Sequence, residues 1–269
     1  TFYINTLLPV GPALAGRIMG KRVVYHYHEN AFVKGTFYKV LATIMQKLAH
    51  KIICVSEYQA SFLQQKKCVI TVPNALPQNF VNRLTPNFQA AFKRKHILML
   101  GSLKLYKSPL EFIELTKRLP QFIFVLVIND TKENINIFIK EYKINISKNL
   151  TIYPQQNDVV PFYNQTSLVL NLSNKKQFVE TFGLTALEAM SAGLPVIVPT
   201  EGGIAEMVVD GENGYKIDVQ NLNQIAECIK TILSDETLYM ELAQNALAYS
   251  KRFSEAKMVN SIEMILNRK

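Results

Sequence analysis

Tryptophan is absent from this 269-residue sequence, and cysteine occurs only three times. Apart from the cluster Lys93–Lys95, the basic residues are scattered and are not interleaved with aromatic residues in the manner of an RNA-binding platform. Nucleic acid is therefore not an expected partner. No apolar run approaches the ~18 residues that a membrane-spanning helix requires. The longest run, from Phe122 to Ile128, suits a buried strand.

The three cysteines (Cys54, Cys68 and Cys228) form no Cys-x-x-Cys pair and cannot all pair with one another. This sparing use predicts reduced thiols in a cytoplasmic protein. Hydrophobic residues make up 48% of the chain and charged residues 19%, a balance that excludes a disordered or fibrous chain. The net charge of +9 favours an anionic partner, such as the phosphates of a small ligand or an acidic lipid.

Strand-like apolar runs alternate with helix-like segments along most of the chain, which predicts an α/β protein built on parallel sheets. Residues 77–95 interrupt the alternation and mark a domain boundary. The block over 96–250 is large enough for a whole doubly wound domain. The block over 1–80 is short and opens in mid-rhythm, so we expect an incomplete domain there. The predicted linker covers 81–95, and the predicted C-terminal helix, over 251–269, can pack back on the first domain.

One segment has the order strand, loop, helix, tight turn and strand. The apolar run Leu168–Ser173 precedes a helical pattern over 183–192, which Gly193 ends. Thr181 is placed to cap this helix. The helix also has an apolar stripe that we expect to face the sheet, formed by Leu184, Leu187 and Met190.

In a parallel sheet this helix begins at the carboxyl edge, where doubly wound folds bind ligands. The free backbone N–H groups of Gly183 and Leu184 lie at the positive end of the helix dipole and favour a phosphate. Glu180 precedes the helix, and Glu188 lies about 7 Å farther along the axis than Gly183, at ~1.5 Å per residue. Two acceptors flanking an anion site suit the hydroxyl groups of a nucleotide sugar. The alternative is that Glu180 is a helix-start charge and Glu188 a solvated helix residue.

The segment Glu180–Glu188, with Phe182–Leu184 at its centre, resembles the E-x7-E motif of family 4 retaining glycosyltransferases. Gly202–Glu206 and Asp210–Gly214 resemble the segments that follow the motif in this family. The similarity covers nearly the whole chain. It implies the GT-B fold, in which two Rossmann-like parallel-sheet domains face a cleft, with the acceptor on the N-terminal domain and the nucleotide-sugar donor on the C-terminal one.

The resemblance also implies a role for each motif residue. Glu180 would contact the donor sugar as a catalytic residue, and Glu188 would bind the ribose. In the family a glycine–arginine pair and a downstream lysine clamp the diphosphate; here Gly101 and Lys107 are present, but Ser102 replaces the arginine, so one charge of the clamp is lost. The implied donor-binding residues are Gly101, Ser102, Lys107, Thr181, Phe182, Gly183, Leu184 and Glu188.

Two histidines alternate along the predicted strand Val23–His28, with Glu29 on its other face. His28 would emerge at the carboxyl edge and face the cleft, whereas His26 lies about 6.6 Å deeper and reads as a packed core residue. Because Glu29 points away and no third ligand is near in sequence, we expect no metal. The segment His28–Glu29 resembles a family segment whose histidine lies near the anomeric carbon of the donor, which makes His28 a second candidate catalytic residue.

The function that the sequence favours is retaining transfer of a sugar from a nucleotide-diphosphate donor to a glycan or lipid-linked acceptor, in surface polysaccharide biosynthesis such as that of capsule or lipopolysaccharide. No cofactor is expected, and the basic charge would suit peripheral contact with an anionic membrane surface. One alternative is a donor-binding module or inactive subunit that needs a partner or an N-terminal segment. Another is a different GT-B sugar-nucleotide enzyme, such as an epimerase.

Overall fold

The computed structural model describes residues 1–30 and 35–267, which form two parallel β-sheets with helices packed on their faces. The first sheet has four strands, which follow one another across it in chain order. They are β1 (Phe2–Ile4), β2 (Val23–Tyr27), β3 (Lys51–Cys54) and β4 (Val69–Thr71). The predicted strand with the two histidines is thus an interior strand of this sheet.

The second sheet has six strands, in the order β10-β9-β8-β5-β6-β7. They are β5 (His96–Gly101), β6 (Ile123–Ile128), β7 (Leu150–Tyr153), β8 (Leu168–Leu170), β9 (Val196–Val198) and β10 (Gly214–Lys216). All of their pairings are parallel. The chain order reverses direction across the sheet at β5 and β8, which is the position where doubly wound folds open a ligand crevice.

Thirteen α-helices connect and flank the strands within the described residues. The first seven are α1 (Val10–Ile18), α2 (Thr36–Leu48), α3 (Glu57–Ser61), α4 (Gln78–Val81), α5 (Phe88–Arg94), α6 (Pro109–Arg118) and α7 (Lys132–Glu141). The others are α8 (Val160–Asn164), α9 (Leu184–Ser191), α10 (Gly203–Glu206), α11 (Leu222–Ser234), α12 (Glu236–Ser250) and α13 (Glu255–Asn267). The prediction of two parallel-sheet α/β domains is confirmed.

Strand β2 is buried along its whole length because both faces of the first sheet are covered. On one face Tyr25 and Tyr27 pack with Met45 of α2. On the other face Val24 packs with Ile265 of α13. The C-terminal helix therefore crosses back onto the first sheet and ties the end of the chain to it.

The segment over 81–95, predicted as a linker, packs against the second sheet. Within it, Ala91 of α5 is 4% exposed and belongs to the second hydrophobic core. The backbone carbonyl of Ala91 accepts a hydrogen bond of 2.6 Å from the Ser167 hydroxyl, just before β8. The prolines interrupt the alternation of strands and helices without loosening the packing.

All three cysteines are free thiols, and burial raises the pKa of Cys54 and Cys228 to about 12. Among the helices of the described residues, none combines the length and the apolar character that crossing a bilayer demands.

Candidate functional site

Helix α9 begins at the carboxyl edge of the second sheet, directly after Gly183. This glycine adopts a left-handed conformation with φ of +100°, and a Cβ at this position would overlap the side chain of Ile204. No side chain caps the helix. Within the described residues, the backbone N–H groups of Gly183, Leu184 and Thr185 donate to no protein acceptor. Three amides at the positive end of the helix are therefore free to bind an anion.

Two predictions about this helix are wrong. Thr181 does not cap it, because Gly183 occupies the cap position and the helix begins only at Leu184. Leu184 does not face the sheet with Leu187 and Met190, which are both fully buried; it is 45% exposed. It is the first residue of the helix and lines a cavity instead.

A cavity of about 880 Å³ opens at the amino end of α9, within the size range of pockets that bind small ligands. Gly101 ends β5, while Asn129 and Asn171 lie just beyond β6 and β8, so all three line the cavity from the same sheet edge. Asn74 lines it from the first domain. The order of the strands and their common direction bring these polar groups into one crevice.

An ion pair between Lys107 and Glu180 lies inside this cavity. The Ser173 hydroxyl donates a hydrogen bond of 2.9 Å to the same carboxylate oxygen. The ammonium also lies 4.4 Å from the ring centroid of Phe178, a cation–π distance. The two charged side chains are only 23% and 17% exposed, so each charge neutralises the other in a partly desolvated site.

Glu188 lies one turn deeper in α9 and does not line the cavity. The Tyr163 hydroxyl donates a hydrogen bond to its carboxylate oxygen Oε2. Burial raises the pKa of Glu188, and the hydrogen bond from Tyr163 partly offsets this. Burial also raises the pKa of Tyr163, so the phenol remains a donor. The alternative of a solvated Glu188 does not fit this contact.

His28, just beyond the histidine strand, is not among the residues that line the cavity. Its Nε2 is 2.7 Å from Oδ1 of Asn5, and its ring centroid is 4.1 Å from that of His26. His26 is 5% exposed, and burial lowers its pKa to about 4. Burial also lowers the pKa of His28. Both imidazoles are therefore neutral at neutral pH.

Glu29 lies two residues beyond β2, and its carboxylate accepts a hydrogen bond of 3.3 Å from the His28 backbone N–H. Its carboxylate accepts hydrogen bonds from the Leu7 backbone N–H and the Thr6 hydroxyl. Across residues 1–30 and 35–267, no three histidine, cysteine or acidic side chains are close enough to hold a metal ion.

Of the ten predicted site residues, the structure brings eight to the cavity. These are Gly101, Ser102, Lys107, Glu180, Thr181, Phe182, Gly183 and Leu184. The sequence analysis did not include Asn129 and Asn171, although a polar residue directly after a buried strand was the signal that could have identified them. It also missed Tyr163, for which the sequence held no signal.

A family comparison matches most of the second domain. The family described as "Glycosyl transferases group 1" matches residues 83–249. An N-acetyl-alpha-D-glucosaminyl L-malate synthase from Bacillus anthracis is 30% identical over 142 residues, which are 52% of this chain and 36% of that protein. An uncharacterized glycosyltransferase from Haemophilus influenzae is 23% identical over 257 residues, which are 91% of this chain and 69% of that protein. The chain thus matches about a third of the length of the Bacillus anthracis protein.

A solved structure has the same fold. HepE from Anabaena, in complex with UDP and glucose, superposes with a TM-score of 0.82 at 21% identity, covering 99% of this chain and 78% of that one. The likeness confirms the predicted architecture of two Rossmann-like domains in the GT-B arrangement.

Proposed function

The chain belongs to the group 1 glycosyl transferases, and we propose that it transfers a sugar, with retention of configuration, from a nucleotide-diphosphate donor to a glycan or lipid-linked acceptor. The proposal assigns it to the family 4 type, in which Glu180 and Glu188 form the E-x7-E pair. A role in surface polysaccharide synthesis follows from the class of acceptor. The basic net charge of +9 supports an acceptor anchored at an anionic membrane surface.

The observation that carries the proposal is the free amino end of α9 beside Lys107. The amides of Gly183, Leu184 and Thr185 and the Lys107 ammonium all face the same cavity. Such a set is complementary to the two adjacent phosphates of a nucleoside diphosphate. A uridine nucleotide is the first ligand to test, since the structurally similar HepE binds UDP.

Donor binding should rearrange the Lys107–Glu180 ion pair. A diphosphate carries more negative charge than one carboxylate, so it competes for the Lys107 ammonium. Glu180 is then free to accept hydrogen bonds from the hydroxyl groups of the donor sugar. The Ser173 hydroxyl already holds one oxygen of that carboxylate in place. Lys107 and Glu180 thus exchange partners when the donor binds.

In the proposed reaction the bond from the anomeric carbon to the β-phosphate oxygen breaks, and a bond from the acceptor oxygen forms on the same face. The acceptor proton passes to the leaving phosphate. The protein contributes positioning and electrostatic stabilisation. Lys107 and the amides of α9 stabilise the charge on the leaving diphosphate. In this proposal the neutral imidazole of His28 approaches the anomeric centre from the first domain.

Thermal unfolding with UDP, GDP, ADP and UDP-glucose tests the proposal. A ligand that binds only the folded state at 100 times its Kd stabilises by about 2.7 kcal/mol. For a chain of this size that corresponds to a Tm rise of about 5 to 10 °C. We expect one nucleoside diphosphate to give this rise and the bare nucleoside to give almost none. Transfer or hydrolysis of the matching sugar nucleotide then reports activity.

Two lysine variants make the test specific. Lys107→Ala should weaken binding of the nucleoside diphosphate between about 10-fold and 100-fold. Lys230→Ala removes a lysine of an exposed pair with Glu227 on α11 and should leave the affinity unchanged. Equal binding by both variants, or no response to any nucleotide, would refute the proposed donor site.

A further inference from the structure

The segment Gly202–Glu206 supports the backbone of the loop before α9. The Gly203 N–H donates a hydrogen bond of 2.8 Å to the Glu180 carbonyl. A Cβ on Gly202 would overlap that carbonyl oxygen, and a Cβ on Gly203 would overlap the carbonyl of Thr181. The two backbones are therefore in direct contact with no room for side chains between them.

The same segment supports the start of the helix. Ile204 is fully buried, and its side chain fills the space where Gly183 would carry a Cβ. The position of Ile204 thus fixes how far Gly183 can move. The loop from Glu180 to Gly183 rests on α10 at both of its ends.

The other end of α10 contacts the first domain through a carboxylate. Glu206 accepts hydrogen bonds from the backbone N–H groups of Glu57 (3.1 Å) and Tyr58, in the first turn of α3. The next N–H of that turn, from Gln59, donates to the Ser56 hydroxyl. The first turn of α3 is thus capped in part by its own residue and in part by an acid from the other domain.

The contact between the Glu206 carboxylate and the amides of α3 is strong but reversible. A carboxylate that accepts from amides at a helix start gains both charge-assisted hydrogen bonds and the helix dipole. The Tyr58 hydroxyl adds a hydrogen bond of 3.0 Å to Glu201, just ahead of the glycine pair. The segment Glu201–Glu206 therefore connects the first domain to the Glu180 loop.

We propose that Glu206 is a positioning residue that holds the Glu180 loop in register with the first domain. A rotation of one domain against the other must break the Glu206 contacts or pull on the Gly203–Glu180 hydrogen bond. The Glu206 contacts therefore couple the position of the donor sugar to the domain that carries His28. The inference rests on the proposed function, because the Glu180 loop is its donor-sugar contact.

Amide hydrogen exchange on the full chain tests the coupling without any substrate. In Glu206→Ala the amides of Glu57 and Tyr58 should exchange at least about tenfold faster, because their acceptor is lost. The Gly203 amide, which donates to Glu180, should also exchange faster. Glu206→Gln keeps one acceptor oxygen and should restore part of the protection. The matched control Glu241→Ala removes an exposed acid on α12 and should change none of these amides.

Kinetics then separates positioning from simple loss of structure. Glu206→Ala should lower kcat about tenfold while the Kd for UDP stays within twofold, and Glu206→Gln should recover part of kcat. Unchanged exchange at Gly203 would overturn the inference, as would an equal loss of UDP affinity and kcat that follows a lower Tm. Failure of the proposed function would look different, since wild-type protein would then bind no nucleotide while the exchange results still stand.

Discussion

The two domains differ in what they bring to the cavity. The second domain supplies the ion pair of Lys107 and Glu180 and the free end of α9, whereas the first supplies Asn74 from the far side. The histidines of the first domain do not line the cavity, and the first turn of α3 in that domain donates hydrogen bonds to Glu206 of the second. In the proposed function, donor recognition and sugar transfer therefore depend on different residues. Substitutions of the proposed diphosphate contacts in the second domain should weaken UDP binding. Those of Glu180, of Glu206 and of the first domain should change turnover or stability alone.

The largest effect is expected from the carboxylate of Glu180. Glu180→Ala should lower kcat between about 100-fold and 1000-fold, as removal of a group that acts on the transition state does. UDP itself should bind as tightly as to wild type, or more tightly, because Lys107 loses its competing partner. Turnover and UDP titration on the same samples measure both quantities. A loss of UDP affinity as large as the loss of kcat would show that Glu180 acts on the nucleotide and not on the sugar.

Acid should destabilise the protein through His26 of the first domain. Burial lowers its pKa to about 4, and its Nε2 has no hydrogen-bond partner among the described residues. An unfolded histidine titrates near pH 6.5, so the unfolded chain binds more protons between these values. The contribution of His26 to the free energy of unfolding is therefore fully present above about pH 6.5. It falls by about 3 kcal/mol as the pH approaches 4.

Denaturant unfolding between pH 7 and pH 4 measures this loss. His26→Gln should flatten the pH dependence, whereas His96→Gln in the second domain should flatten it less. Burial lowers the pKa of His96 too, but this group is only half-buried. Equal slopes for wild type and His26→Gln would contradict the burial of a neutral imidazole.

Substitutions of Glu188 and Tyr163 should lower the affinity for UDP more modestly. Glu188→Ala should weaken UDP binding about tenfold, and Tyr163→Phe somewhat less, because the phenol positions the carboxylate. If the carboxylate binds the ribose, 2′-deoxy-UDP or 3′-deoxy-UDP should bind wild type less tightly than UDP. The penalty should shrink in Glu188→Ala. An unchanged penalty would show that Glu188 does not bind the ribose.

The smallest expected effect is a gain in UDP affinity from a substitution of Ser102. Ser102→Arg adds a cation to the cavity wall beside Gly101, and we expect UDP to bind about fivefold more tightly, with a stronger dependence on salt. Ser102→Ala, which adds no charge, should leave the affinity nearly unchanged. If both variants bind alike, residue 102 does not face the diphosphate.

The sequence predicts the elements better than the contacts between them. The apolar runs Val23–His28 and Phe122–Ile128 identify β2 and β6 nearly to the residue, because burial acts locally, whereas the three-residue strand β10 is not predicted. The assignments of Thr181 and Leu184 are wrong because Gly183, in a left-handed conformation, takes the cap position. The side chain of Ile204, 21 residues further on, leaves no room for a Cβ there. Local patterns cannot show such a contact.

Partners that are distant in the chain lie beyond this kind of prediction. The hydroxyl of Tyr163 meets Glu188 across 25 residues, and Glu206 meets Tyr58 across 148 residues. Both contacts follow from the packing of whole elements. The resemblance to a family could identify the two glutamates, but it held no information about which groups orient them.

The most direct test of the account follows the backbone amides of Gly183, Leu184 and Thr185 by NMR during a titration with UDP. If the amino end of α9 binds the diphosphate, all three resonances should shift along one binding curve, and uridine at the same concentrations should leave them in place. A titration in which UDP binds while these amides do not respond would show that the diphosphate does not bind at the amino end of α9.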